Sequence, residues 1–305
     1  GADREAIREC VRILREAERP LVLFPEGTWF RQNERLGPLQ DGVGLIVRQA
    51  ARKNERPIHA LPVTMKYWVL EDPRPDWKKR LTALETSLRW RPRNHEDWVP
   101  RIQRLSNAML TVLEIEHFGE ARIGSLDERR LALIDSHLAA LETRRMDGAK
   151  DGDPLDRLRN LRHHLTRELT HEDATDEEVA VVRGDFADMM HCELMFAHSQ
   201  DYLLERPSFE RITEAIERLE EALVEGERIS IPLGVSVQVG EPLAAADFMK
   251  AKRKDKTGDP LVQAIGDSLR SMSRERLEAG PPSEWNCPAP LESPAPAPAA
   301  EEVSR

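Results

Sequence analysis

The sequence predicts an α/β protein whose parallel sheet is interrupted by an all-helical insert or cap. Three observations support this class. The first 65 residues alternate between amphipathic helices and short apolar strands, and two strands joined by a helix indicate a right-handed parallel crossover. The central half of the chain then shows helical spacing alone. After it, a strand pattern and a helix pattern return, which predicts that the α/β domain resumes beyond the insert.

The early elements follow from the spacing of apolar residues. Over residues 3–17 apolar side chains recur every three or four positions, which predicts an amphipathic helix. The wholly apolar residues 21–24, closed by proline and glycine, are typical of a buried parallel strand. A second helix is predicted over residues 41–54, with Asp41 as its N-cap. Residues 58–63 predict a second buried strand.

The middle of the chain predicts a bundle of five or six helices without a fixed-period repeat. Ser125 with Glu128, and Thr175 with Glu178, have the spacing of capping boxes and predict two helix starts. The helix after Thr175 is expected to reach Leu204.

A strand is predicted over residues 229–239 and a closing helix over 259–277, followed by a Pro/Ala-rich tail that predicts disorder. The predicted segments are therefore an α/β segment (1–74), a helical bundle insert (75–227), a returning strand and helix (228–279) and a disordered tail (280–305).

Composition excludes several classes of protein. With 45 Lys+Arg against 55 Asp+Glu, the net charge of −10 disfavours a protein that neutralises nucleic-acid phosphates. The three cysteines are far apart and lack a CxxC spacing, so neither a disulfide framework nor a zinc knuckle is indicated. No apolar run of about 18 residues exists to form a transmembrane helix.

The most specific motif is FPEGT, residues 24–28, directly after the first predicted strand. Ligands of parallel sheets bind beyond the carboxyl ends of strands. Gly27 can expose backbone N–H groups to an anion, and Arg31 can make a bidentate phosphate contact. Glu26 is expected to orient arginines or amides, or to accept a hydrogen bond from a substrate hydroxyl.

Four strings together resemble the PlsC type of glycerolipid and lysophospholipid acyltransferases, such as 1-acylglycerol-3-phosphate acyltransferases. They are FPEGT (24–28), the Gly-rich helix start DGVG (41–44), PIHALPV (57–63), similar to the family's PI-x-PV strand, and VGEPL (239–243), similar to its G-E-P turn. The resemblance covers roughly residues 1–68 and 228–278.

The resemblance implies transfer of a fatty acyl group from acyl-CoA or acyl carrier protein to a hydroxyl of a glycerophosphate or lysophospholipid-type acceptor. No cofactor besides this co-substrate is implied, and no metal. The acceptor-binding residues that it implies are Glu26, Gly27 and Thr28, with Arg31 as a candidate addition and with Phe24, Pro25 and Pro62 as supporting motif positions. Trp29 departs from the family, which often has arginine there.

The family's general base is the His of an H-x-x-x-x-D motif, oriented by the Asp. It belongs several dozen residues before FPEGT, so the chain is expected to be an N-terminally truncated member that is inactive alone. The string from His171 to Asp176 has the right spelling but lies after FPEGT, and we do not nominate it. The implied partners are an acyl donor and a phosphate-bearing lipid, and the implied location is cytoplasmic, with peripheral contact at the membrane face as an extension.

Two further patterns have alternative interpretations. Asp188, His191, His198 and Asp201 have the spacing of one helix face, which favours packed polar residues over a metal site. Basic residues interleave with tryptophans between residues 68 and 98, which indicates either tryptophans that anchor the bundle or an interfacial lipid contact. The interleaved residues are Lys78, Lys79, Arg80, Arg89, Arg91 and Arg93 with Trp68, Trp77, Trp90 and Trp98.

The alternative to an enzyme is a non-catalytic protein. In that case a degenerate acyltransferase domain either binds phosphate-bearing lipids or carries the helical insert as an interaction scaffold. The missing base and Trp29 favour this alternative.

Overall fold

The computed structural model describes residues 4–27, 32–52, 56–171, 174–224, 231–249 and 258–291. These residues form eleven helices and four strands. In chain order they are α1 (Arg4–Glu16), α2 (Gly42–Ala51), β1 (His59–Ala60), β2 (Val63–Val69), α3 (Arg74–Ser87), α4 (Trp98–Phe118), α5 (Leu126–Arg145), α6 (Pro154–Leu169), α7 (Asp176–Ala197), α8 (Gln200–Glu205), α9 (Phe209–Leu223), β3 (Leu233–Val239), β4 (Leu243–Ala244), α10 (Ala245–Phe248) and α11 (Pro260–Ala279).

The predicted parallel sheet is wrong. The described strands form two antiparallel pairs, β1 with β4 and β2 with β3. Residues 21–24, expected to be a buried strand, have no strand partner in the described part of the chain, and Val22 and Phe24 are 76% and 77% exposed. An apolar run indicates that a segment packs against something, but it does not specify a hydrogen-bonded neighbour. Here Leu21 and Leu23 pack against helices instead.

The two strand pairs form one interrupted ribbon. β2 pairs with β3 from Val63 opposite Val239 to Val69 opposite Leu233. The Gly240 N–H donates to the Pro62 carbonyl at 2.9 Å, and the Ala245 N–H donates to the Ile58 carbonyl at 2.9 Å, beside the short β1–β4 pair. The interruption coincides with Pro62 and Pro242, which lack the N–H that a ladder needs. The early strand therefore joins the strand that follows the helical region.

Helix α2 is the centre of packing in the part of the molecule that carries the motifs. Its residues Ile46 and Ala50 contact α1 and the segment of Leu21 and Leu23. Its opposite side belongs to a second apolar cluster with α11 and the ribbon. That cluster contains Val43, Val47 and Ala51 of α2, Ile58 and Ala60, Leu243, and Leu261, Ile265, Leu269 and Met272 of α11.

The helical region contains seven helices, α3 to α9, in the described residues, rather than five or six. Both predicted capping boxes are confirmed, since the side chains of Ser125 and Thr175 accept from the backbone N–H of Glu128 and Glu178. The long helix expected after Thr175 is wrong, because α7 ends at Ala197 and a separate α8 begins at Gln200.

All four tryptophans in the basic stretch take part in packing. Trp77 is fully buried, donates from Nε1 to the Thr213 hydroxyl at 2.9 Å and contacts Trp98 edge to face. Trp68 is buried on the ribbon and donates to the Ser236 hydroxyl. Trp90 is half-buried, packs against the same apolar core as Trp77 and lies beneath the guanidinium of Arg104. The packing interpretation therefore fits all four tryptophans.

Consecutive helices are joined by three copies of one polar arrangement, which we call the clip. In each copy a buried glutamate near the end of one helix accepts from a backbone N–H in the following loop and from an arginine on the next helix. The three sets are Glu85, Arg93 N and Arg101; Glu114, Arg122 N and Arg129; and Glu142, Lys150 N and Arg157.

The clips form an internal repeat, so the expectation of no fixed period is wrong. The arginines lie 28 residues apart (101, 129, 157), as do the N-cap residues four positions before them (Asp97, Ser125, Asp153). Each glutamate follows a leucine. Few other positions match between the copies. The repeat is therefore hard to recognise in the sequence alone, and the contacts reveal it.

No helix within the described residues has the length and apolar character required to cross a bilayer. Residues 280–291 of the predicted tail have no helix or strand, and residues 292–305 lie outside the described residues.

Candidate functional site

The FPEG part of the motif forms a turn at the surface between α1 and the helical region. The Gly27 N–H donates to the Phe24 carbonyl at 3.3 Å, and Gly27 has a φ of +67°, in the left-handed region that favours glycine. The Gln40 N–H donates to the Pro25 carbonyl at 2.7 Å. The turn is therefore held against the loop of residues 32–40, which we call the motif loop.

Glu26 fixes the motif loop from one side. Its Oε2 accepts from the Gly37 N–H at 2.8 Å. Partial burial raises the pKa of the Glu26 carboxyl, although the Gly37 amide and nearby Arg159 oppose that rise. Its Oε1 has no hydrogen-bond donor among the described residues, so one carboxylate oxygen stays able to accept from a hydroxyl.

Arg159 of α6 joins the turn to the helical region. Its Nη2 donates to the Glu26 carbonyl at 2.8 Å and to the Pro38 carbonyl at 3.2 Å, and its Nη1 contacts Asp156. One guanidinium thus bridges the motif and the motif loop. No sequence pattern pointed to Arg159, because it lies 133 residues after Glu26 and belongs to no recognised motif.

The other side of the motif loop is held by α8 and α9. Arg35 pairs with Asp201 and Glu205, each at 3.1 Å. Glu34 accepts from Lys66 of β2 at 2.8 Å and from Arg211 of α9 at 2.7 Å. Burial by itself would raise the pKa of Glu34, but the two cations outweigh it and hold that pKa below its usual value.

A buried pair of acidic groups lies beneath this loop. The Tyr202 hydroxyl donates to Glu214 Oε2 at 2.9 Å, and the Asn33 N–H donates to Glu214 Oε1 at 3.3 Å. The Glu34 N–H donates in turn to the Tyr202 hydroxyl at 3.3 Å. Burial raises the pKa of Glu214 to about 7, with Arg218 opposing the rise. A carboxyl group that titrates near neutrality therefore supports the motif loop.

The structure describes some of the predicted site residues and not others. Phe24, Pro25, Glu26 and Gly27 form the turn described above, and Pro62 is buried in the ribbon. Thr28 and Arg31 lie outside the described residues, as does Trp29. The predictions that Thr28 and Arg31 bind an acceptor stay predictions.

The proposed metal face is divided between two helices. Asp188 and His191 belong to α7, whereas Asp201 belongs to α8. Asp188 pairs with Arg144 and Asp201 pairs with Arg35, each at 3.1 Å. Within the described part of the chain, no group of three or more His, Cys, Asp or Glu side chains is arranged to hold a metal ion.

Comparisons with protein-family models, with curated proteins and with solved structures gave no match to this chain. The case for a function therefore depends on the motifs and on the contacts around them.

Proposed function

We propose that this chain is part of an acyltransferase that moves a fatty acyl group from acyl-CoA or acyl carrier protein to the hydroxyl of a glycerophosphate or lysophospholipid-type acceptor. In this proposal the chain contributes the acceptor-binding side of the site, and the general base comes from polypeptide upstream of it.

One observation carries the proposal. Three of the four strings that resemble the PlsC family lie within residues 24–63 and the fourth at 239–243, and residues in or directly before each of them belong to the apolar clusters of α2. The DGVG string begins this helix, and the residues before FPEG pack on one side of it. Ile58 of the PIHALPV string packs with both α2 clusters, and Leu243 of the VGEPL string packs with the second. The distant VGEPL string is thus brought to the same helix as the three early strings.

Glu26 has a role that fits an acyl acceptor. Its backbone carbonyl is held by Arg159 and its Oε2 by Gly37, so the carboxylate has a fixed position. The remaining oxygen can accept a hydrogen bond from a polyol hydroxyl and so orient the acceptor. Fixing the acceptor in this way lowers the entropic cost of bringing it to the acyl group.

The test is an acyl-transfer assay on the complete protein that carries this chain, with acyl-CoA and lysophosphatidate as substrates. Glu26→Gln is expected to lower kcat/KM by about a hundredfold, which corresponds to about 3 kcal/mol of transition-state stabilisation. Glu278→Gln is the matched control, because Glu278 is exposed on α11 and is expected to change kcat/KM less than twofold.

One result of the same assay would contradict the proposal. The 305-residue chain alone is expected to be inactive. If it transfers acyl groups at enzyme-like rates that survive Glu26→Gln, the assigned roles of Glu26 and of the upstream base are wrong.

A non-catalytic scaffold is the second candidate, and the repeated clips favour it. Stacked helical repeats form extended binding surfaces in many proteins. Under this alternative the complete protein shows no acyl transfer, while saturable binding of lysophosphatidate would assign it to lipid-phosphate recognition.

A further inference from the structure

We infer that a groove on the helical region binds a phosphate monoester attached to an apolar or aromatic group. The groove has a volume of about 980 Å³ and lies between the loop after α3 and the exposed side of α4. It shares no lining residue with the FPEG turn. The existence of the site is argued independently, whereas the identity of its ligand rests on the proposed acyltransferase function.

The lining combines cations with an apolar floor. Arg91 and Arg93 from the loop and Arg104 from α4 contribute three guanidiniums. Trp90 lies under Arg104, with the guanidinium carbon 4.7 Å from the ring centroid. Val112, which is 63% exposed, continues the apolar surface along α4. Phosphate groups bind guanidiniums bidentately, while aromatic and aliphatic surfaces bind the attached group.

The groove carries positive charge in an acidic protein. Glu85 is shared between Arg101 and Arg104, so one carboxylate serves two cations. Arg93 pairs with Glu96 at 2.7 Å, whereas Arg91 has no acidic partner among the described residues. The whole chain has a net charge of −10, and a local excess of arginine is therefore a feature that attracts anions to this place rather than to the surface in general.

Two atoms in this network retain unused donor capacity. Arg104 Nε and Arg101 Nη1 are buried and have no hydrogen-bond acceptor within the described residues. Buried donors are normally satisfied. Arg104 lines the groove and Arg101 does not, so an anion there would be a further acceptor for the Arg104 guanidinium. Trp90 is half-buried and packs against the apolar core of the helical region, so a ligand in the groove would meet the part of the indole that stays exposed.

Two ligands of the proposed reaction share the required chemistry. Coenzyme A has a phosphate monoester on a ribose beside an aromatic base, and lysophosphatidate has one on a glycerol beside an acyl chain. The first would make the groove part of the donor site, and the second would make it an entry site for the acceptor.

The experiment is isothermal titration calorimetry of the 305-residue chain at low salt with two probes. Adenosine 3′,5′-bisphosphate represents the nucleotide of the donor, and dihexanoyl phosphatidate below its micelle concentration represents the lipid. One probe is expected to bind, and the Arg91→Glu/Arg93→Glu variant is expected to raise its Kd at least tenfold. The matched control, Arg183→Glu/Arg274→Glu, has the same charge change at exposed positions on α7 and α11 and is expected to change Kd less than twofold.

The outcomes separate the site from the function. Absence of binding by both probes up to millimolar concentration would overturn the inference, and so would an equal loss in the control variant. Binding that Glu26→Gln weakens but the groove variant does not would assign the ligand to the motif turn and would also overturn it. Groove binding in a complete protein without acyl-transfer activity would leave the site standing and remove the proposed function.

Discussion

The helical region and the β-ribbon differ in where their apolar side chains lie. The helical region buries them in two cores. Inside the helical region Glu85, Glu114 and Arg101 are fully buried among apolar residues. On the ribbon the apolar side chains face outward. Val63, Met65 and Tyr67 of β2, with Leu233, Val235, Val237 and Val239 of β3, are 43% to 59% exposed, and cross-strand pairing places them on one face.

The polar face of the ribbon is buried because it has partners. Lys66 pairs with Glu34, and Trp68 donates to Ser236. Trp285 packs against the backbone of Gly234, where a Cβ would lie 2.6 Å from the indole ring. Charge pairing and aromatic packing therefore decide which face is covered, and the alternation of hydrophobicity alone does not. An exposed apolar face of this size is uncommon in monomers.

The largest expected effect comes from breaking a clip. Glu114→Ala leaves the buried guanidinium of Arg129 without its carboxylate, and we expect it to lower the free energy of unfolding by about 3–5 kcal/mol. Urea denaturation measures this. Glu116→Ala, at an exposed position two residues later, should change it by less than about 0.5 kcal/mol.

The double variant Glu114→Met/Arg129→Met removes both charges, and it should be substantially more stable than Glu114→Ala. If Glu114→Ala is no more destabilising than Glu116→Ala, the clips do not stabilise the helical region.

The second effect is a pH dependence at Glu214, between the two regions. Its folded pKa of about 7 lies above the ordinary value, so the folded protein retains a proton that the unfolded chain releases at lower pH. The stability that this group contributes is complete below about pH 4.5 and is lost as the pH rises through 7, by about 3 kcal/mol.

Glu214→Gln is permanently neutral and should remove this dependence. Its stability relative to the wild type should therefore be about 2–3 kcal/mol greater at pH 8 than at pH 5, as measured by urea denaturation at both values. A constant difference between the two proteins at pH 5 and pH 8 would show that Glu214 does not titrate in this range.

A smaller effect distinguishes the helix caps within the repeat. Ser125 caps α5 through its side chain, whereas Asp97 makes no side-chain cap hydrogen bond to α4. Ser125→Ala should therefore lower the free energy of unfolding by about 1 kcal/mol, and Asp97→Ala should have little effect. Equal losses in thermal denaturation would mean that Asp97 caps its helix in solution.

The smallest effect tests whether the ribbon face is open. Val237 is exposed, so Val237→Thr should change the free energy of unfolding by less than about 0.5 kcal/mol and should raise the solubility limit. Val47→Thr on buried α2 puts an unpartnered hydroxyl in the core and should cost about 1–3 kcal/mol. If the two substitutions cost the same, the ribbon face is covered in solution.

The local elements were largely predictable. The capping boxes at Ser125 and Thr175 depend on side chains three residues apart, and the amphipathic helices at either end depend on a spacing of three or four. The partner of each strand was not predictable, because residues 21–24 and 58–63 have similar apolar runs. Within the described residues, only the second run forms part of a strand pair. Within the site, the hydrogen bond from Arg159 to the Glu26 carbonyl joins α6 to the motif turn, and no local sequence pattern connects these two segments.

By itself the sequence determined the two capped helix starts at Ser125 and Thr175, that residues 24–28 form a distinctive motif, and that the chain has no apolar run fit to span a membrane. The tertiary structure decided that the strands pair antiparallel, that the apolar face of the ribbon is the exposed one, and that side chains of α6, α8 and α9 bind the motif loop. The physical reason is the sequence separation over which each interaction acts. Hydrophobic periodicity and capping act over three or four residues, whereas strand pairing, buried ion pairs and helix packing depend on which distant surfaces compete successfully for one another.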